Sequence, residues 1–162
     1  QLARSFKEKY DLDSIGLRYF NVYGPRMDIY GAYTEVMIRW LDRIDAGKPP
    51  VIFGNGKQTM DFVYTEDVAR SNIAALQSKT GDGAYNVGTG KETSLNTLLK
   101  HMLRLTNPKL KPVYKKTKGQ IIVARRRAGI KKAKKDLGFQ AKTPLRQGLK
   151  KLIQWRHDER HS

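Results

Sequence analysis

The chain is 162 residues long, enough for one domain with a real hydrophobic core, and no apolar run in it approaches the roughly 20 residues of a membrane-spanning helix. It has no cysteine, which excludes disulfides and thiolate metal sites and fits a cytoplasmic protein, and its three histidines are too scattered to predict a metal centre. The formal net charge of +17 is regional: residues 1–78 carry 10 basic and 10 acidic side chains, residues 79–162 carry 22 and 5, so the second half should attract phosphates on nucleic acid, an anionic membrane or a nucleotide.

Leu2, Phe6 and Tyr10 have helical spacing and predict a helix ending before Asp11. The chain starts without Met, inside that helix, which leads us to expect a fragment. Ile15 to Val22 is rich in β-formers with little alternation, and predicts a strand buried on both faces. Thr34 is a candidate cap for a helix to about Ala46, its apolar positions Val36, Met37, Trp40, Leu41 and Ile44 following the 3.6-residue period, and Gly47, Pro49 and Pro50 stop it. Val51–Phe53 and Gln58–Tyr64 flank Gly54-Asn-Gly56 and predict a hairpin. Thr65 reads as the N-cap of a helix with Glu66 and Asp67 in its first turn. A short strand follows at Ala84–Val87, then a helix from Ser94 to about Leu105 and a strand within Lys111–Tyr114. A basic helix spans Ala128–Leu137 before Gly138, and a last helix begins at Pro144. The order is α/β, with no internal repeat and no linker, so residues 1–162 read as a single unit.

The most informative stretch is Arg18-Tyr-Phe-Asn-Val-Tyr-Gly-Pro-Arg26, a hydrophobic strand ending in a polar turn. The carboxyl end of such a strand is where an α/β sheet meets its ligand, and the Asn21 amide there can donate to a phosphate or sugar oxygen. Asn86-Val-Gly-Thr-Gly90 looks like a phosphate loop but has neither a third glycine nor a following Lys-Ser/Thr, so a structural role is favoured. Tyr114 and Lys118 spell Tyr-x-x-x-Lys, a pair that works only on one face of a helix, whereas Tyr114 closes a predicted strand. Lys131–Lys135, Lys150, Lys151 and Arg156 read as solvated helix faces.

Arg18–Arg26 and Gln58–Arg70 resemble the sugar-nucleotide epimerases and dehydratases of the extended short-chain dehydrogenase/reductase family, with a looser likeness from Ala128 to Trp155. The resemblance implies the C-terminal part of a Rossmann-like fold: the last parallel strands plus a small α/β substrate-binding lobe. It implies an NAD-dependent enzyme acting on a nucleotide sugar, a UDP-sugar in the nearest subfamily, and members often form homodimers. The dinucleotide-binding half and the catalytic Tyr-x-x-x-Lys pair would lie upstream of Gln1, so none of the residues here is expected to be catalytic. The resemblance places Asn21, Thr34, Val36, Val51, Phe53, Arg125 and Arg126 against the substrate and Phe20 near the nicotinamide end of NAD. Lys116, Lys118 and Arg127 are alternatives to Arg125 and Arg126 as diphosphate ligands. Met60 stands where many members have a phosphate-binding arginine, and a thioether cannot take that role. The competing reading is a basic phosphate- or nucleic-acid-binding module built on the same fold; nucleic acid is disfavoured because few aromatics interleave with the charges. A membrane partner is not expected.

Overall fold

The computed structural model describes residues 2–30, 36–80, 82–116 and 123–161. Helix α1 (Leu2–Tyr10) leads into two short strands, β1 (Ser14–Tyr19) and β2 (Asn21–Tyr23), which form one run interrupted at Phe20. Helix α2 (Val36–Asp45) and strand β3 (Val51–Phe53) follow. Strands β4 (Thr59–Met60) and β5 (Phe62–Tyr64) form a second run, interrupted at Asp61, and lead directly into helix α3 (Thr65–Gln77). Next come β6 (Asp82–Val87), β7 (Thr93–Ser94), α4 (Leu95–Leu105), β8 (Val113–Lys115), α5 (Lys131–Leu137) and α6 (Leu145–His161).

The first run changes partner partway. β1 pairs in parallel with β6, Tyr19 opposite Val87, and β2 pairs in parallel with β5, Asn21 opposite Phe62. At the break Phe20 N donates to Val87 O and Asn21 N to Asp61 O, 2.9 and 3.1 Å. Successive residues of a strand aim their backbone groups at opposite edges, so the switch places β6 on one edge of this run and β5 on the other. The odd-numbered backbone groups of β1 meet no strand among the described residues, and Arg18 and Tyr19 are exposed. The expectation of a strand buried on both faces is corrected: no residue of Ser14–Tyr19 is fully buried, and among the described residues β1 has a strand neighbour on one edge only.

The predicted hairpin does not form either. β3 pairs in parallel with β8 and β4 pairs antiparallel with β7. The Gly54–Gly56 turn is held instead by the start of α4, with Asn96 N donating to Gly56 O and Asn96 Nδ2 to Asn55 O. Thr65 is the first residue of α3 rather than its cap; the cap position is Tyr64, whose side chain accepts no capping bond. Ser94 does cap α4, accepting from Thr97 N at 3.1 Å.

Two apolar layers cover the strands. One joins Tyr23, Phe62 and Tyr64 to Met37, Trp40 and Leu41 of α2, Leu98, Leu99 and Met102 of α4, and Leu149 and Leu152 of α6. The other joins Val63, Tyr85 and Val87 to Ala133 and Leu137 of α5. Residues 62 and 64 serve the first layer and residue 63 the second, the period of two that a strand imposes. No helix among the described residues is long and apolar enough to cross a membrane, and no group of three or more His, Asp or Glu side chains is placed to hold a metal ion.

Candidate functional site

The site is organised around Asp61, which is fully buried. Its Oδ1 accepts from Thr89 N and Thr89 Oγ1, at 2.8 and 2.6 Å. Its Oδ2 accepts from Gly90 N at 2.8 Å and Ala128 N at 3.1 Å. The amides of the Asn86–Gly90 loop that would greet a phosphate are therefore already committed to an internal carboxyl group, and the loop is structural. The same carboxyl ties down the segment that carries the arginines.

That segment docks in parallel on β4: Thr59 N donates to Ala124 O at 3.0 Å, Arg126 N donates to Thr59 O at 3.0 Å, and Thr59 lies opposite Arg125. Thr59 and Asp61 both present their backbone groups to the same edge of the Thr59–Tyr64 run. Ala124–Arg126 and Asn21–Tyr23 thus lie end to end along that edge. The bonds to Thr59 O and Asp61 O are two residues apart on the strand, so the Arg126 and Asn21 backbones sit about 7 Å apart along the strand direction.

The register also sorts the side chains by face. Thr59 and Arg125 share one face, where Glu92 bridges them: it accepts from Arg125 Nε and Nη2 at 2.9 and 2.6 Å and from Thr59 Oγ1 at 2.7 Å. The Arg125 bond, joined by that of Thr59, lowers the Glu92 pKa to about 2. The next pair, Met60 and Arg126, falls on the opposite face together with Phe62 and its register partner Asn21. The exposed Arg126 has no ion-pair partner among the described residues, whereas the Arg125 guanidinium is engaged. Of the two arginines, Arg126 is the one free to meet a ligand.

The remaining expected residues lie on other elements. Phe20 is half-buried at the break between β1 and β2. Phe53 ends β3, 53% exposed, opposite Lys115, and Gly54 N donates to Lys115 O at 2.8 Å, which brings Lys116 to the same corner. Val51 is half-buried and its carbonyl accepts from Trp40 Nε1 at 2.7 Å, so on the open edge of β3 its N–H group is what remains for backbone recognition. Val36 opens α2 and packs against the first apolar layer. Thr34 and Lys118 lie outside the described residues. Tyr114 is in strand β8, as its rejection as half of a catalytic pair requires. Tyr23 and Tyr64 are buried core residues, and burial pushes the Tyr23 phenol up, so it serves packing rather than base catalysis.

A second buried acid, Asp67, supports the far side. It accepts from Lys142 N at 2.8 Å and Thr143 N at 3.0 Å and pairs with Arg70, anchoring the segment before α6 to the start of α3. Burial pushes the Asp67 carboxyl up, but the hydrogen bonds from Lys142, Thr143 and Arg70 outweigh it and hold the pKa below the ordinary value. Glu92 and Asp67 are both depressed in the folded chain. Their contribution is therefore present above the unfolded carboxyl range near pH 4 and is lost as pH falls through their folded values. Urea midpoints should stay flat from pH 7 to about 5 and fall steeply below about pH 4, with a shallower fall in Asp67→Asn.

The sequence model of the NAD dependent epimerase/dehydratase family matches residues 1–88. The chain belongs to this family. It is 36% identical over 159 residues to a putative UDP-glucose 4-epimerase of Methanocaldococcus jannaschii, covering 96% of this chain and 49% of that protein. Its structure resembles that of UDP-glucose 4-epimerase from Thermotoga maritima with UDP-glucose, with a TM-score of 0.88 and 35% identity over 96% of this chain and 50% of the other. It also resembles UDP-glucuronic acid 4-epimerase from Bacillus cereus in complex with UDP-glucuronic acid and NAD, with a TM-score of 0.83 and 25% identity over 98% and 49% of the two chains. The chain spans about half the length of the proteins it matches. The fold is thus part of the Rossmann-like extended short-chain dehydrogenase/reductase architecture, and NAD is the cofactor of the family.

Glu92 was not singled out by motif reasoning. Its signal was present all the same: it is the single acidic residue between Asp82 and Asp136, in the most basic part of the chain.

Proposed function

We propose that this chain is the nucleotide-sugar-binding portion of an NAD-dependent epimerase or dehydratase acting on a UDP-sugar in the cytoplasm, and that it has no turnover on its own. The observation that carries the reading is the edge of the Thr59–Tyr64 run, where Arg126, Met60 and Asn21 share one face. On this reading Asn21 donates to the sugar or proximal phosphate, and Arg126 supplies the cation that Met60 cannot. Phe53 lies against the base, with the Val51 N–H beside it, and Val36 approaches the sugar. Lys116 stands next to the Phe53 corner as a second phosphate donor.

The residues present fit one wall of an NAD site, not its dinucleotide grip. Phe20 offers an apolar surface at the end of β1, but the sequence contains no Gly-x-x-Gly-x-x-Gly turn. When bound, NAD supplies hydride transfer; this chain's part is to hold and orient the substrate. The odd-numbered edge of β1, open among the described residues, is where a further parallel strand of a longer protein would pair. A homodimer of the complete enzyme belongs to the same reading.

The competing polyanion reading is less well supported, because the lysine-rich α5 (Lys131–Leu137) carries no aromatic residue for base stacking. Calorimetric titration of the chain with UDP tests the proposal. UDP should bind saturably, with Asn21→Ala and Arg126→Ala each weakening it about tenfold, or about 1.4 kcal/mol. UDP-galactose should not be epimerised. Absence of UDP binding at millimolar concentration, indifference to both substitutions, or measurable turnover would each overturn the reading.

A further inference from the structure

We propose a second ligand site on the opposite side of the β3–β8 ribbon, built to take a small amphipathic anion: an apolar or aromatic body carrying one phosphate or carboxylate. Ile52 and Tyr114 are opposite each other in the ribbon and share a face, while Phe53 and Lys115 lie on the other. The Phe53 face belongs to the proposed nucleotide site. The Ile52–Tyr114 face forms the end of a separate groove of about 350 Å³ between α4 and the Pro108–Pro112 segment. That volume is within the range of small-molecule sites.

The floor is apolar. Leu99 and Leu103 come from α4 and Ile52 from β3, and Pro108 and Pro112 stiffen the opposite wall. That wall is further fixed by a turn in which Leu110 N donates to Asn107 O and Lys109 N to Asn107 Oδ1. At the ribbon end the Tyr114 hydroxyl donates to Asn96 Oδ1, and Asn96 Nδ2 in turn donates to Asn55 O, so the exposed Tyr114 ring is held in place. Both walls exist before any ligand arrives, which lowers the ordering cost of binding.

The rim has one sign of charge. Lys100 and Arg104 line the groove four residues apart on the same face of α4, both exposed, and the exposed Lys109 and Lys111, next in sequence to the lining residues Pro108 and Pro112, add to the positive charge of the opposite segment. No acidic side chain lines the groove, and no ion pair with any of these four cations is found among the described residues. Like charges at this helical spacing repel, and an anion placed between them relieves the repulsion. An apolar floor with a cationic rim selects against both neutral hydrophobes and bare inorganic ions.

Amide chemical-shift mapping on the isotope-labelled chain tests this with phenyl phosphate as the probe, and inorganic phosphate and phenol as the two half-ligands. Phenyl phosphate should shift Asn96, Leu99, Lys100, Leu103 and Arg104 saturably with a Kd of about 1 mM or tighter, and each half-ligand should bind about tenfold more weakly or worse. Arg104→Glu should abolish the effect. Lys100→Glu, in the middle of an exposed helix face, gives the same reading should Arg104→Glu disturb the end of α4. Equal response to inorganic phosphate would reduce the site to a cation cluster, and equal response to phenol would reduce it to an apolar crevice. Either result overturns the proposal, as do shifts confined to Asn21 and Phe53 or insensitivity to both charge reversals.

Discussion

Asp61→Ala should lower the melting temperature by roughly 8–16 °C and weaken UDP binding at the same time. The substitution removes the acceptor of four hydrogen bonds at once, leaving the amides of Thr89, Gly90 and Ala128 and the Thr89 hydroxyl without a partner in a fully buried place. Each orphaned buried donor costs about 1–3 kcal/mol, less whatever water entering the cavity restores, so a net loss of about 4 kcal/mol is expected. For a chain of this length that converts to the stated change in melting temperature. The loss also reaches the site, because Ala128 N is the anchor that follows Arg125–Arg127. Asp61→Asn is the informative control. It keeps one acceptor oxygen but turns an NH2 group toward donors, so it should recover only part of the stability. Thermal unfolding followed by circular dichroism gives both values; wild-type stability in Asp61→Ala would mean that the loop and the arginine segment are held by something else.

The second large effect is expected at Gly148 of α6. A Cβ there would lie 2.8 Å from both Tyr23 Cζ and Tyr64 Cδ2 and well inside contact with Tyr23 Oη. The two rings are among the most buried in the molecule, meet each other at 5.6 Å, and cannot swing away, since Tyr23 also packs on Phe62 and donates to Leu145 O. Gly148→Ala gains about 1 kcal/mol of helix propensity. Overpacking costs about 1–3 kcal/mol and in this rigid corner exceeds that gain, so α6 must shift and the net loss should be about 1–2 kcal/mol. Adding Tyr23→Phe removes the atom that is struck hardest, so Gly148→Ala should cost less in that background than in the wild type. Additive losses in the double mutant, measured by urea denaturation, would show that the clash is relieved by some other movement.

Much of the fold is local and was therefore legible. The period of α2, the Ser94 cap of α4 and the stop at Gly138 all depend on residues a few positions apart. What could not be read depends on distant pairing. Nothing near Val51 announces that its partner strand begins at Val113, and the Gly54–Gly56 turn reads as a hairpin until Asn96 is seen to hold it. The change of partner at Phe20 is likewise a tertiary event with no local signal. Within the site, Asn21 stands out in the sequence because it follows a hydrophobic run, but it opens β2 at the break after β1 and does not end the strand. The sorting of Arg125 from Arg126 was not legible: it needs the parallel register with Thr59 and the presence of Glu92, 33 residues away in sequence. The hold of Asp61 on both the glycine loop and the arginine segment joins residues 28 and 67 positions away and has no local signal.

The proposed nucleoside-diphosphate grip is made by Asn21 and Arg126 on one strand edge, with Phe53 against the base. The most direct measurement is an amide chemical-shift map of the labelled chain titrated with UDP. Phe20, Asn21, Phe53, Gly54, Met60 and Arg126 should move together along one saturable curve that disappears in Arg126→Glu. Shifts confined to the lysines of α5, or a response unchanged by Arg126→Glu, would contradict this grip.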